Sequence, residues 1–173
     1  MHNKGYVHRD IKLENIMFEK NCSFDQCKII DFGFARKYTK DEHLFEVMGS
    51  PLYMSPQILD QSSYTEKFDI LSTGIILYFL WYGKFPYKSI NLVDLKSEIS
   101  KTYFKKDSFL SLKGISDQGK NFLLKLLAHN ENERPAASQL IKDFWFQSAM
   151  YVDDLTKEEK KDMFNNIKKQ KVL

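Results

Sequence analysis

"YVHRDIKLENI", Tyr6 to Ile16, is the stretch on which the reading of this chain turns. It sets an acid (Asp10), a lysine (Lys12) and an amide (Asn15) at fixed spacing, with apolar residues on either side. Side chains two residues apart on an extended segment point the same way, so Asp10 and Lys12 share a side. Chemistry on a phosphoryl group can use such a set. The stretch begins only five residues after the start of the chain, and those five offer nothing to grip a nucleotide.

The bulk composition narrows the classes. A chain of 173 residues suggests one domain, long enough to bury roughly two-thirds of its unfolded surface. With 43% hydrophobic and 14% aromatic residues it is globular rather than disordered. A net charge of +3, with acids and bases interspersed, gives no nucleic-acid surface. Cys22 and Cys27 read as free thiols of a cytosolic protein. His2, His8, His43 and His129 lack metal-ligand spacing. The polar N-terminus has no signal-peptide pattern. The most apolar run, "IILYFLWY" at Ile75–Tyr82, is far short of the roughly 20 residues of a membrane span. No membrane span and a cytoplasmic location are therefore expected.

Along the chain, "IMFEKNCSFDQCKII" predicts two short strands, Ile16–Phe18 and Cys27–Ile30, joined by a polar turn. Asp31 to Gln57 has little periodicity, is punctuated by Gly33, Gly49, Pro51 and Pro56, and reads as a long functional loop. Residues 66–82 read as a helix apolar on most faces, which belongs in the middle of a domain. Gly83 caps it and Pro86 stops it. Further helices are expected near 91–101, 116–128 and 135–142. From Ser148 the tail is charged, with an amphipathic helix near 156–169. The fold class is mainly α with a small β hairpin.

"HRDIKLEN" is followed, sixteen residues after Asn15, by "DFG" at Asp31–Gly33. Together these resemble the catalytic loop and metal-binding loop of eukaryotic protein kinases. The eight fixed residues agree by chance on the order of once in ten billion start positions. The resemblance continues. "GSPLYMSPQ" (Gly49–Gln57) is similar to the end of an activation segment, and "FDILSTGIILYFL" to the central helix. "GKFPY" (Gly83–Tyr87) is similar to the loop after it, and "NENERPAASQLIKDFWF" to the last helical subdomain. It covers residues 1–147, a partial kinase domain corresponding to the C-terminal lobe, and leaves 148–173 as a charged tail.

The resemblance implies ATP-dependent phosphoryl transfer to serine or threonine of a protein substrate, with ATP and Mg²⁺ as cofactors. Asp10 would orient the substrate hydroxyl and accept its proton. Lys12 would neutralise charge on the γ-phosphate. Asn15 and Asp31 would supply the hard oxygen ligands that Mg²⁺ prefers. Gly33 would let the backbone turn sharply after the ligand. His8 and Phe32 are expected to pack together, with no acid–base role. Arg9, with Arg36 and Lys37, would seek a phosphate on the loop. Tyr38, Thr39 and Ser50 are the candidates and Thr39 is the least constrained, but Arg36 and Lys37 equally fit simple solvation. Ser50 resembles the residue that bonds the catalytic aspartate and lysine, which with Lys12 argues against tyrosine substrates. "DFGFAR" and "GSPLYMSP" are also similar to the autophagy-initiating kinase group.

Three departures stand out. Where the family has a glutamate that pairs with a buried arginine, this chain has Gln57, facing Arg134. An uncompensated buried cation costs on the order of several kcal/mol, so a weaker anchor or a partly hydrated Arg134 is expected. Leu71 stands where an aromatic is usual, a packing change, while Asp69 is retained and is expected to hold the backbone around His8 and Arg9. Thirdly, the family's N-terminal lobe, with its glycine-rich loop and strand lysine, has no counterpart in residues 1–5. That suggests an incomplete reading of the gene or a truncated paralogue. The chain alone is expected to transfer no phosphate. The alternative function is a non-catalytic interaction or scaffold module, with a regulatory partner bound through the C-terminal tail.

Overall fold

The structure, a computed structural model, describes residues 1–18, 27–39, 42–102 and 115–150. In chain order, strands β1 (Tyr6–Val7), β2 (Ile16–Phe18), β3 (Cys27–Ile29) and β4 (Arg36–Lys37) precede the helices. Strands β2 and β3 pair antiparallel with Ile16 opposite Ile29, in the hairpin that the sequence predicts. A second small sheet, β1 with β4, pairs Tyr6 with Lys37 and Val7 with Arg36 and is not anticipated. Two-residue strands carry no readable alternation, and their partners lie some thirty residues apart.

That second sheet fastens the long loop over 31–57 to the segment leading into His8. Two further ties hold it: the Tyr38 N–H donates to the Gly5 carbonyl at 2.8 Å, and Leu44 bridges Tyr64 in both directions at 2.8 and 2.9 Å. A short helix, α1 (Pro56–Leu59), closes the loop, with the Ser55 Oγ accepting from the Ile58 N–H and proline in the first turn.

Helix α2 (Lys67–Tyr82) lies at the centre. Its buried residues include Phe68, Ile70, Leu71, Ile75, Ile76 and Phe79, which cover more than one face. It ends at Gly83, whose φ of 65° is left-handed and whose N–H bonds the Phe79 carbonyl at 2.8 Å. The later helices each have an identifiable start. Asn91 Oδ1 accepts from Val93 and Asp94 ahead of α3 (Leu92–Thr102). Ser116 Oγ accepts from Gly119 in α4 (Asp117–Leu126). Helix α5 (Ala137–Leu140) follows, and Asp143 then accepts from the Trp145 N–H at the start of α6 (Phe144–Met150). Helix α6 continues past residue 147, where the tail is expected to begin. The amphipathic helix expected near 156–169 lies outside the described residues.

Two apolar clusters position the site. One packs Leu71, Ile75 and Ile76 of α2 against Ile11, Tyr53, Leu95, Leu123 and Leu127, so the segment after Asp10 is anchored on the central helix. In the other, Val7, Tyr38, Leu44, Met54, Ile58 and Tyr64 surround Phe68 and press the long loop onto the start of α2. Helices α2 and α4 cross closely at Gly74, where a Cβ would come within 2.8 Å of Leu126 Cβ and 2.9 Å of Leu127 Cδ2. Among the described residues no helix is long and apolar enough to cross a membrane.

Candidate active site

The site is built on one buried carboxylate in the first turn of α2. Asp69, 4% exposed, accepts the His8 N–H at 2.8 Å through Oδ2 and the Arg9 N–H at 2.9 Å through Oδ1. The ring nitrogen Nε2 of His2 bonds the same Oδ2 at 2.8 Å. These contacts hold Arg9 at φ 66°, a left-handed conformation that costs a non-glycine residue about 1–3 kcal/mol. The turn at Arg9 aims the next residue, Asp10, inward.

Asp10 is 3% exposed and sits in a closed ring of polar contacts. Its Oδ2 lies 2.8 Å from Lys12 Nζ, and its Oδ1 accepts from Ser50 Oγ at 3.0 Å. Lys12 Nζ in turn donates to Ser50 Oγ at 3.0 Å. The Asn15 amide nitrogen donates to the Asp10 carbonyl at 2.9 Å and to Oδ2 at 3.1 Å. With its nitrogen committed to Asp10, the amide of Asn15 has its oxygen turned away from that carboxylate. Ser50 reaches the ring because Gly49 precedes it at φ 96°. A Cβ on Gly49 would meet the Arg9 carbonyl at 2.9 Å, so only glycine admits that approach.

Asn15 and the segment around Asp31 are joined directly, since the Ile30 N–H donates to the Asn15 carbonyl at 2.9 Å. Asp31 is exposed, has φ 61°, and its Oδ1 accepts from the Gly33 N–H at 3.1 Å. The sharp turn expected at Gly33 is thus made at Asp31. Gly33 itself lies outside the left-handed region, and what it provides is room, because a Cβ there would stand 3.1 Å from Asp31 Oδ1. His8 is fully buried, with Nδ1 accepting from the Asp10 N–H and Nε2 facing the Ile30 carbonyl at 3.2 Å. That pattern assigns the proton to Nε2. Its ring packs on Phe32 at 5.1 Å between centroids, while Phe32 is otherwise 55% exposed. No group of three His, Cys, Asp or Glu side chains converges among the described residues. One amide oxygen and one carboxylate still fit Mg²⁺, which keeps several waters and takes further oxygens from phosphates.

Of the three basic groups expected to seek a phosphate, two come together. Arg9 is 7% exposed, donates from Nε to the Phe34 carbonyl at 2.7 Å, and places Nη1 3.5 Å from Glu46. Arg36 donates to Glu46 at 2.8 Å and to Glu42 at 2.6 Å. Lys37 is exposed in β4. Thr39 is exposed beside Glu42, which accepts its N–H at 2.9 Å. Backbone N–H groups of Glu46 and Phe45, and after them the charges of Arg36 and Arg9, hold the Glu46 carboxyl below its ordinary value.

At the far end of the loop, Arg134 is 1% exposed. Its Nε donates to the Ala128 carbonyl at 2.7 Å, Nη1 to the Lys67 carbonyl at 3.3 Å, and Nη2 to the His129 carbonyl at 3.1 Å and to Gln57 Oε1 at 2.9 Å. Neutral acceptors from three segments thus meet Arg134, and Gln57 is one of them. Sequence reasoning missed His2, Glu46 and Gly49. A glycine directly before Ser50 was the one signal available, because charged loop residues and a lone histidine near a chain start carry none.

The buried acid–lysine–serine ring, the adjacent "DFG" turn and the helical scaffold around α2 define a class. The chain belongs to the protein kinase domain family, whose model matches residues 1–146. Its fold, mainly helical with two small antiparallel sheets, is that of the C-terminal lobe. The chain is 35% identical over 146 residues to calcium-dependent protein kinase 5 of Plasmodium falciparum (isolate 3D7), covering 84% of this chain and 25% of that protein. It is 33% identical over 169 residues to serine/threonine-protein kinase kin-29 of Caenorhabditis briggsae, covering 97% and 19% respectively. With calcium-dependent protein kinase 14 of Arabidopsis thaliana it shares 34% over 152 residues, covering 85% and 27%. The chain spans about a quarter of the length of the curated relatives it matches.

Proposed function

We propose that this chain carries the substrate-side half of a serine/threonine protein kinase that uses ATP and Mg²⁺. The observation that carries this reading is the ring of Asp10, Lys12 and Ser50, in which each polar tip touches the other two within 3.0 Å. The substrate hydroxyl hydrogen-bonds to the Asp10 carboxylate. Its oxygen forms a bond to the γ-phosphorus as the bond from that phosphorus to the bridging oxygen breaks. ADP leaves with the electron pair, and the hydroxyl proton passes to Asp10. Lys12 neutralises charge on the transferring group. Asn15 and Asp31 would hold Mg²⁺, which supplies positive charge beside the phosphates. Ser50, bonded to both Asp10 and Lys12, favours serine and threonine over tyrosine as acceptor.

The test uses the whole polypeptide in which this chain occurs, with ATP, Mg²⁺ and serine, threonine and tyrosine peptides. Asp10→Asn should lower transfer to serine and threonine peptides by about 10²–10⁴-fold and leave ATP affinity unchanged. Equal transfer by wild type and variant would sink the reading. No transfer by either would favour the non-catalytic interaction module.

A further inference from the structure

We propose that Glu46 is the built-in anion that holds Arg9, so that residues 42–49 of the loop keep their place against Arg9 and Tyr64 with no phosphate on Tyr38, Thr39 or Ser50. Arg9 is a buried cation next to the buried Asp10, and burial of a charge demands a counter-charge. Its Nη1 is buried without a hydrogen bond among the described residues, and the carboxylate facing it is Glu46, at 3.5 Å. The same carboxylate takes the 2.8 Å bond from Arg36 Nη1, so two arginines from separate segments meet on one acid. Glu46 is itself fixed from behind. The Tyr64 hydroxyl donates to the Glu46 carbonyl at 2.8 Å, and the Leu44–Tyr64 bridge ends two residues away.

The hydroxyls on the loop are poorly placed for the same task. Tyr38 is 8% exposed and packed among Val7, Leu44 and Met54. Ser50 Oγ is inside the ring with Asp10 and Lys12, where a phosphate would confront the Asp10 carboxylate. Thr39 is exposed, but Glu42 Oε2 already accepts its N–H and lies 3.4 Å from its hydroxyl. A phosphate there would add about −1.5 to −2 charge beside that carboxylate. Glu46 is ionised at neutral pH without any modifying enzyme, so this clamp is permanent rather than switched.

The inference rests on the kinase reading only for its bearing on catalysis; the clamp is a contact that can be measured without phosphate transfer. Amide exchange is followed at Leu44 and Tyr64, which protect each other in the bridge, in the 173-residue chain whose intact mass is also recorded. Phosphatase-treated wild type should keep that protection. Glu46→Gln, which removes charge but not size, should exchange at both amides about tenfold faster, while the amides of α2 keep their rates. Glu42→Gln should leave the Leu44 and Tyr64 amides unchanged. Unaltered exchange in Glu46→Gln would overturn the proposal. So would loss of protection in phosphatase-treated wild type, a result that needs no variant to fold. A clamped loop in a protein that transfers no phosphate would leave this inference standing and remove only the catalytic one.

Discussion

Arg134 Nη2 meets Gln57 Oε1 at 2.9 Å, so a neutral acceptor faces a guanidinium that is 1% exposed. Gln57 also donates from Nε2 to the His129 carbonyl at 2.6 Å. Gln57→Ala removes both contacts and is expected to cost about 1–3 kcal/mol in urea unfolding. Gln57→Glu forfeits the bond to His129 and turns an oxygen toward that carbonyl, but gives the buried cation a carboxylate as counter-charge. The gain wins by about 1 kcal/mol, which at this chain length raises Tm by about 2–4 °C. An unchanged or lowered Tm would mean that the carbonyl oxygens around Arg134 already satisfy it.

Asp69 links the central helix to the segment that carries Asp10. It offsets the cost of the left-handed Arg9 through bonds at 2.8 and 2.9 Å to two consecutive backbone N–H groups. Asp69→Asn keeps the size and one acceptor oxygen but loses a charge-assisted bond, and an amide N–H then opposes a donor. Destabilisation of about 2–3 kcal/mol is expected from denaturant midpoints. Asp94→Asn, at an exposed site in the first turn of α3, should stay within about 0.5 kcal/mol of wild type. Equal effects at the two sites would exclude the proposed anchoring.

Gly74 lies where α2 and α4 touch, and a methyl group there would stand 2.8 Å from Leu126 Cβ and 2.9 Å from Leu127 Cδ2. Helix propensity favours alanine over glycine by about 1 kcal/mol, so a loose interface would give a more stable variant. The close approach reverses the sign. Gly74→Ala should destabilise by about 1–3 kcal/mol, because overpacking forces a backbone shift. A rise in the unfolding midpoint would show that α4 can move away at little cost.

What could be read from the chain depended on how local its cause was. Helix α2 was legible because an all-round apolar run ending in Gly83 needs no knowledge of its neighbours. The hairpin was legible from two β-rich runs flanking a polar turn. The proximity of Asp10, Lys12, Asn15 and Ser50 followed from resemblance, since nothing in spacing alone carries Ser50 across forty residues to Asp10. The β1–β4 pairing, the meeting of Arg9 and Arg36 on Glu46, and the His2–Asp69 bond were not legible. Each joins residues far apart in sequence through one or two contacts, and a charged loop residue looks the same whether solvated or paired. The turn at Asp31 was displaced onto Gly33 for a related reason. Glycine advertises conformational freedom, whereas the left-handed turn fell on the aspartate beside it.

Asp143 joins the end of α4 to the start of α6. Its Oδ2 takes a 2.6 Å bond from Lys125 Nζ, and its Oδ1 accepts the Trp145 N–H at 3.0 Å. The Lys125 bond, and then the backbone N–H groups, hold its carboxyl below the ordinary value of 3.8. A carboxyl whose folded pKa is depressed stabilises the fold fully above its unfolded pKa. That contribution is lost as pH falls through the folded pKa. Asp143→Asn keeps an acceptor at the N-cap but loses the charge that faces the half-exposed Lys125, and should therefore cost about 0.5 kcal/mol at neutral pH. The gap between wild type and variant should hold down to about pH 5 and narrow in more acid solution, as the wild-type carboxyl takes up its proton. Urea unfolding of both proteins across that range reads the gap directly. A difference that stayed constant into acid would assign the loss to packing around Trp145 rather than to the carboxylate.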